Sequence, residues 1–140
     1  MVEGVAAYLL DTNHLSPLVT PTHPLRSRIR MAMDGGDEFY FALPSLTEVV
    51  AGFSILPRAT QNRREWALVR PTLGLVGLDE QDALDAADLH VSLRRQGVQL
   101  AIVDALIATV ALRYGLTLLT TDGDFQSVPG LVIGNWVPTP

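Results

Sequence analysis

Short apolar runs of β-like composition alternate along this chain with stretches whose apolar residues fall at helical spacing. No other feature restricts the fold so much, because strands and helices taken in turn build a mainly parallel sheet covered by helices. The pattern predicts strands over 5–10, 39–42, 73–78 and 116–120, with a short fifth over 131–133. A helix starts near Asn13 and is broken between Pro21 and Pro24; another covers 26–33 and closes at Asp34-Gly35-Gly36. Helices follow over 45–55, ended by Pro57, over 61–69, with Pro71 behind, and over 79–95, stopping at Gly97. The last covers 102–114 and closes on Gly115 as a C′ glycine. Without a repeat, a low-complexity block or a linker, residues 1–140 read as one α/β domain. A chain of this length buries roughly 70% of its unfolded surface, so its core stands without staples.

The informative residues are acids that interrupt the apolar runs. Asp11 follows Tyr8-Leu9-Leu10 at the carboxyl end of the first strand, where open α/β sheets bind ligands. As the N-cap of the next helix it would be equally ordinary. Glu48 lies in Pro44-Ser45-Leu46-Thr47-Glu48-Val49-Val50, where Ser45 and Glu48 also have the spacing of a capping box. Asp104 is harder to explain structurally. It sits in Leu100-Ala101-Ile102-Val103-Asp104-Ala105-Leu106-Ile107-Ala108, a helix start apolar on nearly all sides. An unpaired buried carboxylate there costs on the order of several kcal/mol, so it needs a cation, a metal, strong donors or the favourable end of a helix dipole. Asp122 and Asp124 follow the fourth strand, and Asp122-Gly123 is ordinary turn chemistry. The set weighs more than its members, because a parallel sheet brings strand carboxyl ends and helix starts to one crevice.

Carboxylates gathered in one crevice repel one another and stay ionised only beside cations. The chain has no Cys and its three His are scattered, so the ligand set is oxygen-only, which suits Mg²⁺ or Mn²⁺ rather than Zn²⁺. Such sites hydrolyse phosphodiesters by activating a water, aligning it, and stabilising the departing oxygen.

On these residues the chain resembles PIN-domain ribonucleases, specifically the VapC-type toxins of bacterial toxin–antitoxin modules. The matching segments are Tyr8-Leu9-Leu10-Asp11-Thr12-Asn13, Ser45-Leu46-Thr47-Glu48-Val49-Val50-Ala51-Gly52, Val103-Asp104-Ala105-Leu106-Ile107-Ala108 and Leu118-Leu119-Thr120-Thr121-Asp122-Gly123-Asp124-Phe125. They span 8–125 in the family's order and spacing; each is weak alone, and four together are fairly specific. The resemblance implies a PIN-like three-layer fold of about five mainly parallel strands flanked by helices. It implies that Asp11, Glu48, Asp104 and Asp122 surround one or two Mg²⁺ ions, held directly or through water, with Mn²⁺ able to substitute. Thr12 matches a hydroxyl residue that lines such sites, Asn13 continues the Asp-Thr-Asn pattern, and Asp124 matches a further acid of the last motif. The implied activity is that of an endoribonuclease leaving 5′-phosphate and 3′-hydroxyl ends on RNA, homodimeric, and inhibited by a small cognate antitoxin. A PIN nuclease of RNA processing and a catalytically silent PIN binding scaffold are the alternatives. The lead-in Gly97-Val98-Gln99-Leu100 departs from the family's glycine- or proline-rich approach to the third motif.

Other classes fail on composition or context. All ten basic residues are Arg, which excludes a phosphate-loop Lys, a Schiff-base Lys and a receiver-type phosphoacceptor. No G-x-G-x-x-G follows the first strand. Gly35-Gly36-Asp37-Glu38-Phe39 spells a diguanylate cyclase signature, but a helix precedes it and the Lys-bearing partner motifs are missing; it reads as a helix end and a strand start. Asp79, Glu80, Asp82, Asp85 and Asp88 precede Arg94-Arg95 on the long helix, a polarity that suits the dipole and a solvated face. His14, His23 and His90 receive no catalytic role, and Trp66 and Trp136 are expected in packing rather than base stacking. Arg58, Arg63, Arg64 and Arg70 suit phosphate contact or plain surface equally.

The amino-terminal segment carries Glu3 where a signal peptide has Lys or Arg. The apolar run over 100–112 is interrupted by Asp104 and is too short to span a bilayer. A cytoplasmic protein without membrane contact is expected. The net charge of −5 argues against a basic nucleic-acid coat, yet setting aside Asp11, Glu48, Asp104, Asp122 and Asp124 brings it to 0. What opposes RNA binding on composition is then the expected site itself.

Overall fold

A computed structural model describes residues 5–138 of the chain, so Glu3 lies outside the described residues. Strands β1 (Ala7–Leu10), β2 (Glu38–Ala42), β3 (Gly74–Val76), β4 (Thr117–Leu119) and β5 (Ile133–Gly134) form one sheet. Its order is β3-β2-β1-β4-β5 and every pairing is parallel. The helices are α1 (Thr12–Leu15), α2 (Pro24–Asp34), α3 (Leu43–Ser54), α4 (Ala59–Val69), α5 (Glu80–Arg95) and α6 (Ile102–Tyr114). Short 3-10 turns cover Ser16–Val19, Arg70–Thr72 and Gly123–Ser127.

Period-two alternation divides the strands between two cores. Leu10, Phe39, Phe41 and Leu119 pack with Leu15, Leu25, Ile29, Val49 and Phe53 of α1, α2 and α3. Leu9, Ala42 and Leu118 pack on the other face with Ala86 and Leu93 of α5 and Ala105, Ile107 and Ala108 of α6. The result is the expected three-layer α/β arrangement, five parallel strands between helices. From β1 the chain steps outward through β2 to β3, then returns through α5 and α6 to place β4 on the opposite flank of β1. The order therefore reverses between β1 and β4, and in open α/β sheets that reversal opens a crevice at the strand carboxyl ends. Among the described residues no helix is long and apolar enough to cross a membrane.

Several element boundaries differ from the expectation for local reasons. The first helix is a single turn continued as a 3-10 turn, because Pro17 has no N–H to extend the α pattern. The fifth strand forms at Ile133–Gly134, not over 131–133. Helix α3 begins at Leu43, two residues early, so Ser45 lies inside the first turn with its hydroxyl buried and unpartnered; the capping box with Glu48 does not form. A capping box is found instead on α5, between Asp79 and Asp82. Asp82 is also not solvated as expected: it is 1% exposed and bonded to Arg113 at 2.7 Å. Gly35 caps α2, Gly36 adopts a φ of 103°, and Phe39 lies in β2, so the cyclase-like string is a helix end and a strand start. Gly115 closes α6 at a φ of 64°. Trp66 packs edge-on against Phe41, and Trp136 packs on Tyr8 and Phe39 with the Arg28 guanidinium 4.2 Å from its ring centre.

Candidate active site

Asp11 is the first residue beyond β1, and its backbone N–H donates to Leu119 of β4 at 3.0 Å, which fixes it at the sheet's reversal point. Its two carboxylate oxygens have separate partners. Oδ1 accepts from the Thr12 N–H at 2.9 Å and caps α1; Oδ2 accepts from the Thr120 hydroxyl at 2.8 Å and, at a longer 3.4 Å, from the Asn13 amide. The capping reading of Asp11 therefore holds on Oδ1, while Oδ2 is turned toward Thr120 and Asn13. Burial pushes its carboxyl above the usual range, opposed by the Thr120 and Thr12 bonds and reinforced by the Asp122 charge.

Asp122 follows β4 across the crevice. Its N–H donates to Thr120 Oγ1 at 3.0 Å, and its Oδ1 accepts from the Asp124 N–H at 2.9 Å, an Asx turn that starts the 3-10 turn. Glu48 is exposed on the second turn of α3. Asp104 occupies the third position of α6, whose N-cap Ala101 supplies no side-chain bond. The helix start is apolar on nearly all sides, yet Ile102 and Val103 are 63% and 41% exposed, so this turn is open on its outer side. Asp104 itself is half-buried and its pKa is pushed up to about 6, first by burial and then by Asp11, Asp122, Glu48 and Asp124. A helix N-terminus favours a carboxylate by about 0.3–1 kcal/mol, less than one pH unit, so burial and the neighbouring charges outweigh the dipole. The fold thus brings the other four acids of the sequence motifs within electrostatic reach of Asp104.

The unusual lead-in to α6 is held by its own bonds. Gly97 turns at a φ of 80°, Val98 donates to Leu93, and the His90 ring donates from Nδ1 to the Leu100 carbonyl at 2.7 Å. Sequence reasoning missed the parts played by Thr120 and His14. Thr120 was detectable as a hydroxyl that ends an apolar strand beside a suspected site. His14 carried no local signal, because its partner Trp136 lies 122 positions away.

Among the described residues no three His, Cys, Asp or Glu side chains form a ready-made metal-binding group. The donor chemistry nonetheless fits a hard divalent cation. The available ligands are carboxylates, and Thr12, next to Asp11, keeps a buried hydroxyl without a hydrogen-bond partner. Of the histidines, His14 has both ring nitrogens in hydrogen bonds, while His23 and His90 each use Nδ1.

A search of curated proteins finds no match to the sequence. Among solved structures, the VapBC2 complex of Rickettsia felis bound to a promoter DNA fragment superposes with a TM-score of 0.81 at 21% identity, covering 93% of this chain and 98% of that one. The DNA-bound VapBC of Salmonella typhimurium gives a TM-score of 0.78 at 22% identity, over 94% and 99%. VapC20 of Mycobacterium tuberculosis, a sarcin-ricin-loop-cleaving toxin, gives 0.65 at 14% identity, over 89% and 96%. These likenesses establish the fold. The family model for the PIN domain matches residues 8–131, which takes in all five acids of the sequence motifs, and the chain belongs to the PIN domain family.

Proposed function

We propose that this chain is a Mg²⁺-dependent endoribonuclease, with Mn²⁺ able to substitute, that acts as the toxin of a toxin–antitoxin pair. The observation that supports the reading is that the charges of Asp11, Asp122, Glu48 and Asp124 all act on Asp104, which burial and these charges hold at about 6, with Asp11 and Asp122 following the two strands at the sheet's reversal point. A fold places so much like charge in one crevice, against its own stability, when a cation and a phosphate are to meet there. Asp11, Glu48, Asp104 and Asp122 would hold the cation, directly or through water. When bound, a divalent cation supplies Lewis acidity for in-line attack of water on a phosphodiester and neutralises the charge on the leaving 3′ oxygen. The protein's own groups arrange the crevice: Thr12 and Thr120 orient Asp11, Asn13 ties the end of β1 to the loop after β4, and Asp124 anchors the Asp122 turn. Likeness to a sarcin-ricin-loop-cleaving toxin supports RNA as the substrate, and likeness to VapBC complexes supports a small protein antitoxin as inhibitor. The working form in this reading is a cytoplasmic homodimer of single PIN domains.

The test is cleavage of structured RNA by purified protein with Mg²⁺, with Mn²⁺ and with chelator. Wild type should cut only with metal, and an Asp11→Asn, Asp104→Asn double variant should not cut. If wild type cuts no better than the double variant, the enzyme reading fails. A silent PIN scaffold would in addition bind no Mn²⁺ by calorimetry and lose nothing on Asp104→Asn.

A further inference from the structure

His14 is fully buried, one turn past Asp11, and both of its ring nitrogens are used. The backbone N–H of Trp136 donates to Nε2 at 3.0 Å. Nδ1 lies 2.7 Å from Oδ1 of Asn13. A peptide N–H donates and never accepts, so Nε2 must be bare, and the proton of the neutral ring sits on Nδ1. Nδ1–H can then meet only an acceptor, which obliges Asn13 to turn its carbonyl oxygen toward the ring. That oxygen also accepts from the Thr121 N–H at 3.1 Å. The Asn13 NH₂ group consequently faces the crevice, 3.4 Å from Oδ2 of Asp11 and 3.3 Å from Oγ1 of Thr120. A flipped Asn13 would set its NH₂ against two donors and its oxygen against the Asp11 carboxylate.

We infer that His14 is a positioning residue that transmits the polarity of a backbone amide in the carboxy-terminal segment, through Asn13, to the carboxylate of Asp11. The anchor of this chain is firm, because the Trp136 indole is packed against Tyr8 and Phe39 and lies under Arg28. Thr120 completes the fixed pattern: its hydroxyl donates to Asp11 and accepts from the Asp122 N–H, so the orientations of the acids after β1 and after β4 are set by one network. Partners that orient a ligand carboxylate in this way typically alter affinity or rate by about 10–100-fold when removed. Residue 136 thereby bears on the crevice without reaching it. The geometry stands on this structure alone; its effect on rate rests on the nuclease reading above.

The experiment compares wild type with His14→Leu, which removes both ring bonds, and His14→Asn, whose amide can donate at the place of Nδ1. On metal-free protein, ¹⁵N NMR should find the His14 ring neutral with the proton on Nδ1. The Asn13 side-chain amide signals should shift and broaden in His14→Leu and return toward wild type in His14→Asn. With RNA and Mg²⁺, kcat should fall about 10–100-fold in His14→Leu with KM within about twofold, and His14→Asn should recover most of the loss. Thermal unfolding of both variants separates this from a folding defect. A ring carrying its proton on Nε2, unmoved Asn13 signals in His14→Leu, or equal loss in both variants would overturn the inference. Absence of cleavage by wild type would instead remove the nuclease reading and leave the NMR result to decide the role of His14.

Discussion

Glu48 is the acid at which a structural and a chemical role can be told apart most directly. Had it formed a capping box with Ser45, its removal would loosen α3. Instead α3 begins two residues earlier and Glu48 is left exposed, facing the half-buried Asp104 only through its charge. Glu48→Gln should therefore change unfolding free energy by no more than about 0.5 kcal/mol, as an exposed substitution without a cap. The same variant should lower RNA cleavage by about 10²-fold, and in metal-free protein it should move the Asp104 titration below about 6 by removing one of the charges that raise it. Urea unfolding and an NMR titration read the two effects separately. A loss of more than about 1 kcal/mol in stability would return Glu48 to a capping role.

At the level of elements, the sheet shows what a sequence pattern carries and what it leaves out. The five strands were legible because each is an apolar run bounded by Gly, Pro or a change of period, and the candidate acids stood out where they interrupt or end such a run. Asp104 is the clearest case, an acid within nine otherwise apolar residues. The start of α3 was not legible: Pro44 suits the first turn, but the competing Ser45–Glu48 spacing pointed two residues later. Pairings distant in sequence were equally hidden, such as Arg113 with Asp82 and Trp136 with His14, because no local period encodes them. One such pairing makes a test. Gly74 of β3 is the register partner of Tyr40 in β2, and a Cβ at Gly74 would overlap the Tyr40 ring. Gly74→Ala should therefore destabilise the protein by about 1–3 kcal/mol. In a Tyr40→Ala background the same change should cost less, with a coupling of about 1 kcal/mol or more in a double-mutant cycle. Additive losses would mean that the ring is not what reserves the glycine.

Stability against pH belongs to the whole molecule, and here two groups on opposite helical layers drive it in opposite directions over one window. The pKa of His14 is lowered from 6.5 to about 4, first by burial and then by the Arg28 charge. Between those values the unfolded chain binds a proton that the folded one does not. This contribution is therefore present in full above 6.5 and is lost as pH falls toward 4, about 3 kcal/mol in all. Asp104 has the reverse sign. Its folded value, about 6, lies above the ordinary 3.8, so the folded chain keeps a proton that the unfolded one has released, and stability falls as pH rises from about 4 to 6. Partial exposure makes this second contribution smaller, while Asp11, also raised, adds to it with the same sign. Wild-type protein in chelator should thus show only a shallow dependence between pH 4 and 6.5, and single variants should expose the opposing limbs. His14→Asn should lose stability steadily as pH rises through this range. Asp104→Asn should gain stability with pH and exceed wild type near neutrality, the cost of the crowded carboxylates having been removed even as cleavage is abolished. Mg²⁺ added to wild type should imitate Asp104→Asn, because a cation among the acids lowers the Asp104 value and removes its downward limb. Urea midpoints at half-unit pH steps, with chelator and with Mg²⁺, measure all three curves. Equal slopes in the two variants would show that the acids of the crevice and the buried histidine do not oppose each other in this fold.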